Sequence, residues 1–218
     1  RTDNPNLFYL CRRKESLSNM ARRIIHLVRH GQYSSLPDDG ELGGSLTDLG
    51  KQQAAMIGAL LAGMDISEIH CSSMLRAEET AQIIAHSIPD VEPNSTKLLW
   101  GLVPTIPPHL EEYFESLALQ NPHFSMEQVE QKRGVADEAF QKFFQPKAGE
   151  SDSIVIVCHG NLIRYLVCQA LGINPDKWSN MYIHHCSLTT IVVESDGNRI
   201  LMSYNETGHL PKHMKTEN

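Results

Sequence analysis

The chain has 218 residues, 41% hydrophobic and 21% charged, enough to bury a full core in one globular α/β domain. Its formal net charge of −7 excludes a general nucleic-acid or membrane-surface binder, which needs clustered lysine and arginine, so any anion site must be local. No apolar run approaches the roughly 20 residues that span a bilayer, and five cysteines without a CxxC pair fit buried thiols in a reducing, intracellular setting better than a disulfide framework.

In chain order, residues 1–20 are polar, without clear period, and begin without methionine; they are expected to be an extension of the domain proper, which runs over 21–218. The apolar cluster Leu7–Leu10 leaves an assembly or targeting arm as the alternative. The organising stretch follows. Ile24–Val28 reads as a buried strand ending abruptly in Arg29-His30-Gly31, and the carboxyl ends of such strands are where open α/β sheets place their ligands. An arginine fork, an imidazole and a residue without a side chain together offer an anion clamp, a nucleophile or base, and room for close approach. Gln32–Ser45 is predicted to be a loop over this site, and Thr47 to cap a helix ending by Gly63.

A strand from Ser67 is predicted to run into Ser72-Ser73, caps for a helix over 73–87, with Arg76 in the first turn beside free amides. A surface pairing of Arg76 with Glu78 or Glu79 is the plain alternative. The five prolines of Pro89–Pro108 predict an irregular lid. His109–Leu119 and Met126–Phe144 read as helices, with Phe140, Phe143 and Phe144 in the core. A second apolar strand, Ile154–Cys158, ends in His159-Gly160, ahead of a helical Leu162–Leu171 closed by Gly172. Two late strands, Ser187–Glu194 and Arg199–Tyr204, are joined by Asp196-Gly197 as a hairpin turn. The eleven histidines include no HExxH, and the adjacent His184 and His185 would point to opposite faces of a strand, so no metal site is expected.

These motifs carry a resemblance. RHG at Arg29–Gly31, SSxxRAxET at Ser72–Thr80 and HGNxxR at His159–Arg164 resemble the histidine phosphatase superfamily, the phosphoglycerate mutase-like fold, over roughly residues 22–210. Within it, RHGQY, HGNLIRYLVCQALG and ETGHLP are similar to segments of the mitochondrial serine/threonine-protein phosphatase branch. The resemblance implies a three-layer α/β/α sandwich with a mostly parallel sheet and a phosphatase without cofactor. It also implies His30 as nucleophile, and Arg29, Arg76, His159 and Gly160 around the phosphate. Substrates would be phosphorylated proteins (Ser/Thr) or, alternatively, small phosphometabolites or phosphohistidine. Location would be cytoplasmic, or mitochondrial if the branch holds, and self-association into a homo-oligomer is the branch's suggestion.

The chain also departs from the pattern. Leu36 lies where mutases of the superfamily usually have asparagine, which disfavours a phosphoglycerate mutase. Leu98-Leu99-Trp100-Gly101-Leu102 has tryptophan and glycine where an arginine and the acid-bearing glutamate are usual, so the expected proton donor is absent. Asp38, Glu41, Glu111 and Glu112 are the candidate replacements; failing them, aryl, acyl or histidine-bound phosphate would be the better substrate. His209 of ETGHLP is a further candidate to touch substrate. Two rivals stand beside this reading. Cys158 and Arg164 have the spacing of a cysteine-dependent phosphatase loop, although Val157 and Asn161 depart from it. A phosphate binder that has lost its chemistry is the other.

Overall fold

The computed structural model describes residues 21–34, 40, 42–120 and 125–217. The extension of residues 1–20, with Cys11, and the loop positions Leu36, Asp38 and Glu41 lie outside them.

Alternation of apolar residues on two neighbouring strands builds the molecule. β1 (Arg23–Arg29) and β4 (Asp152–Cys158) run parallel in the centre, with Arg29 opposite Cys158. Ile25 and Leu27 of β1 and Ile154 and Ile156 of β4 face one side; Val28, Val155 and Val157 face the other, and each set heads its own core cluster. A strand buried on both faces needs helices on both, and the chain supplies them. On the first face lie α4 (Met126–Phe143), through Ala136, Phe140 and Phe143, and α5 (Gly160–Leu171), through Leu162 and Leu166. On the second lie α1 (Asp48–Leu61), through Ile57 and Leu61, and α2 (Leu75–Ala85), through Ala77, Ala81 and Ile84. The short α3 (Glu111–Gln120) buries Phe114.

The sheet has six strands in the order β3-β2-β4-β1-β5-β6, adding β2 (Glu68–Ser72), β3 (Pro93–Thr96), β5 (Leu188–Val193) and β6 (Arg199–Glu206). β3, β2, β4 and β1 are parallel, while β5 and β6 are antiparallel additions at one edge. The result is the expected three-layer α/β/α sandwich with a mostly parallel sheet. Its polar intruder is His26, whose ring spans Ser153 Oγ (3.1 Å) and Thr190 Oγ1 (3.2 Å) on the strands either side.

Local chemistry explains where elements start and stop. Thr47 caps α1 as predicted, accepting from the amide of Gly50 at 3.0 Å. Gly172 closes α5 at φ 63°, a left-handed value that costs glycine nothing. Gly197, at φ 86°, finishes the hairpin between β5 and β6, its amide donating to Glu194 O (2.9 Å). Three expectations are corrected. The proline-rich middle contains β3, which tolerates Pro93 because it is the first residue of an edge strand. The N-cap of α2 is Met74, without a side-chain bond of its own; the Ser72 hydroxyl accepts from the Met74 amide (3.2 Å), just ahead of the helix, and from His159. His184 and His185 sit in a turn ahead of β5 and not on a strand.

Candidate active site

The carboxyl ends of β1, β2 and β4, with the first turns of α2 and α5, surround a cleft of about 440 Å³. Arg29, His30, Arg76, His159 and Gly160, distant in sequence, all line it. His30 continues the ladder of β1, its amide donating to Cys158 O at 3.0 Å, and then the chain turns sharply. Gly31 donates to Thr80 Oγ1 (3.0 Å), and that hydroxyl donates to Arg76 O (2.7 Å), which ties the turn to α2. The same turn lies flat on α1: a Cβ on Gly50 would come within 1.9 Å of Gln32 O, and one on Gly31 within 2.6 Å of Gly50 O.

A guanidinium can only donate, and this fixes the state of both histidines. Arg76 Nε donates to His30 Nε2 (3.2 Å), so Nε2 carries a lone pair and Nδ1–H donates to Gly31 O (2.9 Å). Arg76 Nη2 donates to His159 Nδ1 (3.2 Å), leaving His159 Nε2–H to donate to Ser72 Oγ (2.8 Å). The rings of His30 and His159 are 5.0 Å apart. Burial, reinforced by His159, Arg29 and Arg76, holds the His30 pKa well below its ordinary value; burial, Arg76 and Arg29 do the same to His159. Both rings are therefore neutral at physiological pH, and the His30 Nε2 lone pair is held by the Arg76 Nε–H at the edge of the cleft.

Arg29 is 6% exposed and only partly satisfied. Its Nη1 donates to Ile183 O (2.8 Å) and its Nη2 to His185 Nε2 (3.1 Å), while its buried Nε has no partner. A buried donor left over costs about 1–3 kcal/mol unless something fills it, and an anion in this cleft would. Burial above all lowers the Arg29 pKa to about 10, so the charge persists at neutral pH. Arg76 is not the surface ion pair that its neighbours allowed. Glu79 accepts from the amide of Leu46 (2.6 Å), Glu78 accepts from Ser95 Oγ (2.5 Å), and Arg76 instead lies 4.5 Å from the centroid of the Tyr33 ring. α5 begins at Gly160 without a side-chain cap, so amides at its N-terminus remain for an anion.

Several candidates fall away. Glu111 and Glu112 are exposed on α3 and are not among the lining residues. His209 turns to Cys186 O (2.9 Å), also away from the cleft. Cys158 is fully buried, its thiol pushed up to about 12 by burial, so it makes no thiolate for the rival chemistry. Arg164 lines the cleft, but it is tied to Gly160 O (3.2 Å), Met181 O (2.9 Å) and Asn161 Oδ1. Gly101 lines the cleft as well, without a carboxylate. Among the described residues no group of three His, Cys, Asp or Glu is placed to hold a metal ion.

Other lining residues had no role in the sequence reading. Tyr33 meets His30 edge-on, with ring centroids 5.2 Å apart, and its place three residues after the histidine was the available signal. His185, 2% exposed, positions Arg29 from the turn before β5; adjacent to a second histidine, it gave no pattern to read. Lys132 of α4, Tyr182 and Glu217 arrive from distant segments.

Fold and cleft together define an α/β sandwich whose strand ends gather two neutral histidines and buried arginines in one cleft. Residues 25–206 match the histidine phosphatase superfamily (branch 1), and the chain belongs to that family. It is 34% identical over 201 residues to the mitochondrial serine/threonine-protein phosphatase Pgam5 of Caenorhabditis briggsae, covering 90% of this chain and 67% of the relative. The corresponding human protein, PGAM5, is 33% identical over 199 residues, covering 88% of this chain and 65% of that one. The chain thus spans about two thirds of these relatives' length. Among solved structures, it is similar to phosphoglycerate mutase from Plasmodium falciparum (TM-score 0.58, 25% identity, 88% and 96% covered). The fold is shared with phosphoserine phosphatase from Entamoeba histolytica (TM-score 0.60, 21% identity, 87% and 100% covered).

Proposed function

We propose that residues 21–218 form one phosphatase unit that hydrolyses phosphomonoesters through a phosphohistidine on His30. The observation that carries this is the state of His30: buried, neutral, with its Nε2 lone pair held by Arg76 beside the unfilled Nε of Arg29. A phosphoryl group has three equatorial oxygens to be neutralised and one axis for attack. Arg29, Arg76, the α5 amides at Gly160 and a His159 that takes up a proton beside the dianion serve the oxygens; His30 lies on the axis. Transfer to nitrogen and then to water divides one difficult step into two.

Phosphorylated serine or threonine in proteins is the substrate we favour, supported by the names of the relatives in worm and human, which also support a mitochondrial location. A second reading has its own observation. With Gly101 in place of an acid, esters of good leaving groups or small phosphometabolites would turn over more readily than phosphoserine.

Hydrolysis of an aryl phosphate by the purified protein, with acid-labile label on His30, is the test. His30→Ala should lose at least about 10³-fold in kcat, in keeping with removal of a nucleophile. Equal turnover by that variant would leave only a phosphate binder.

A further inference from the structure

Expelling an alkoxide needs a proton, and the position where this family carries its acid is Gly101. Among the described residues that line the cleft, one has a carboxyl group, Glu217. The Glu217 side chain is exposed, and the segment that carries it is anchored. Met214, three residues earlier, is 4% exposed, and its carbonyl accepts from Gln53 Nε2 at 2.6 Å. The same Gln53 nitrogen donates to Thr216 Oγ1 (2.8 Å), while Thr216 O accepts from the His185 amide (2.9 Å). Gln53 is fully buried, and its Oε1 accepts from the amide of Gln32 (2.8 Å), two residues beyond His30. His185, in turn, is the ring that Arg29 donates to. The residue immediately before Glu217 is thus pinned to the groups that shape the phosphate pocket. Arg29, Arg76, Arg164 and Lys132 line the same cleft, cations that attract a carboxylate toward it.

On the reading that His30 is the nucleophile, we propose that Glu217 is the proton donor to the leaving oxygen, replacing the glutamate that Gly101 lacks. As the Nε2–P bond forms and the P–O bond breaks, the Glu217 carboxyl gives its proton to the departing oxygen. In the second step, water loses a proton to the Glu217 carboxylate as its oxygen bonds phosphorus and the Nε2–P bond breaks, which restores both side chains. An acid so placed contributes about 10²–10⁴-fold where the leaving group is poor.

Glu217→Gln keeps the size and removes the proton. With phosphoserine peptide, kcat should fall at least about 10²-fold while KM changes less than threefold. With p-nitrophenyl phosphate, which needs no proton to leave, the first step should survive. The variant should then release about one equivalent of nitrophenolate in a burst and accumulate phosphohistidine, because water is no longer activated. Wild-type-like kinetics on both substrates, or an equal loss on both without a burst, would overturn the role of Glu217 while leaving the phosphatase intact. No phosphohistidine in the wild-type protein would overturn the nucleophile and this proposal together.

Discussion

At the scale of single residues, charge state decides what the site can do. His30 keeps an unprotonated Nε2 because Arg76, which donates to it, cannot accept a proton. Arg76 does this with Nε while holding His159 with Nη2, a span that a lysine ammonium does not reproduce. Arg76→Lys should therefore lower kcat by about 10²–10³-fold in steady-state assays, with the circular dichroism spectrum unchanged. A second buried ring affects stability instead. Burial between Ser153 and Thr190 lowers the His26 pKa from 6.5 to about 4. Above pH 6.5 the ring is neutral whether the chain is folded or not. Between 6.5 and about 4 only the unfolded chain takes up the proton, so stability falls with pH, by about 3 kcal/mol across that window. Below about 4 both states are protonated and the contribution stops changing. Ring resonances should show His26 still neutral at pH 5.5; titration near 6.5 would contradict the assignment.

At the scale of elements, periodicity and capping gave away most of the architecture. β1, β4, α1 and α5 were legible because apolar runs and punctuating residues coincide, as with Thr47 at the start of α1 and Gly172 at the end of α5. Gly172→Ala, forced into a left-handed conformation, should cost about 1–2 kcal/mol in urea unfolding. Two things were not legible. β3 is a proline followed by three polar residues, and it is a strand only because β2 offers it an edge. Ser72 looked like a cap, yet its hydroxyl accepts from His159, a partner 87 positions away that no local pattern reveals. The four residues proposed for the site were readable from motifs where strands give way to helices. His185, Lys132 and Glu217 were not, because their relevance comes from tertiary placement alone.

At the scale of the whole molecule, a chain of net charge −7 gathers Arg29, Arg76, Arg164 and Lys132 around one opening. Arg29 and Arg76 are buried and feel little screening, so anion binding there should outlast moderate salt. Inorganic phosphate at about 100 times its Kd should stabilise the fold by about 2.7 kcal/mol, read as a rise in Tm. Arg29→Ala should abolish that rise, since the unfilled Nε goes with the side chain. A rise that persists in this variant would put the phosphate site elsewhere.

Gly31 and, in the first turn of α1, Gly50 leave no space for even one methyl group between the turn after His30 and the helix. The backbone that carries the imidazole is therefore clamped against α1. In the proposed cycle phosphorus would then have to travel to a ring on a fixed footing and away again, the movement belonging to the visitor and not to its host.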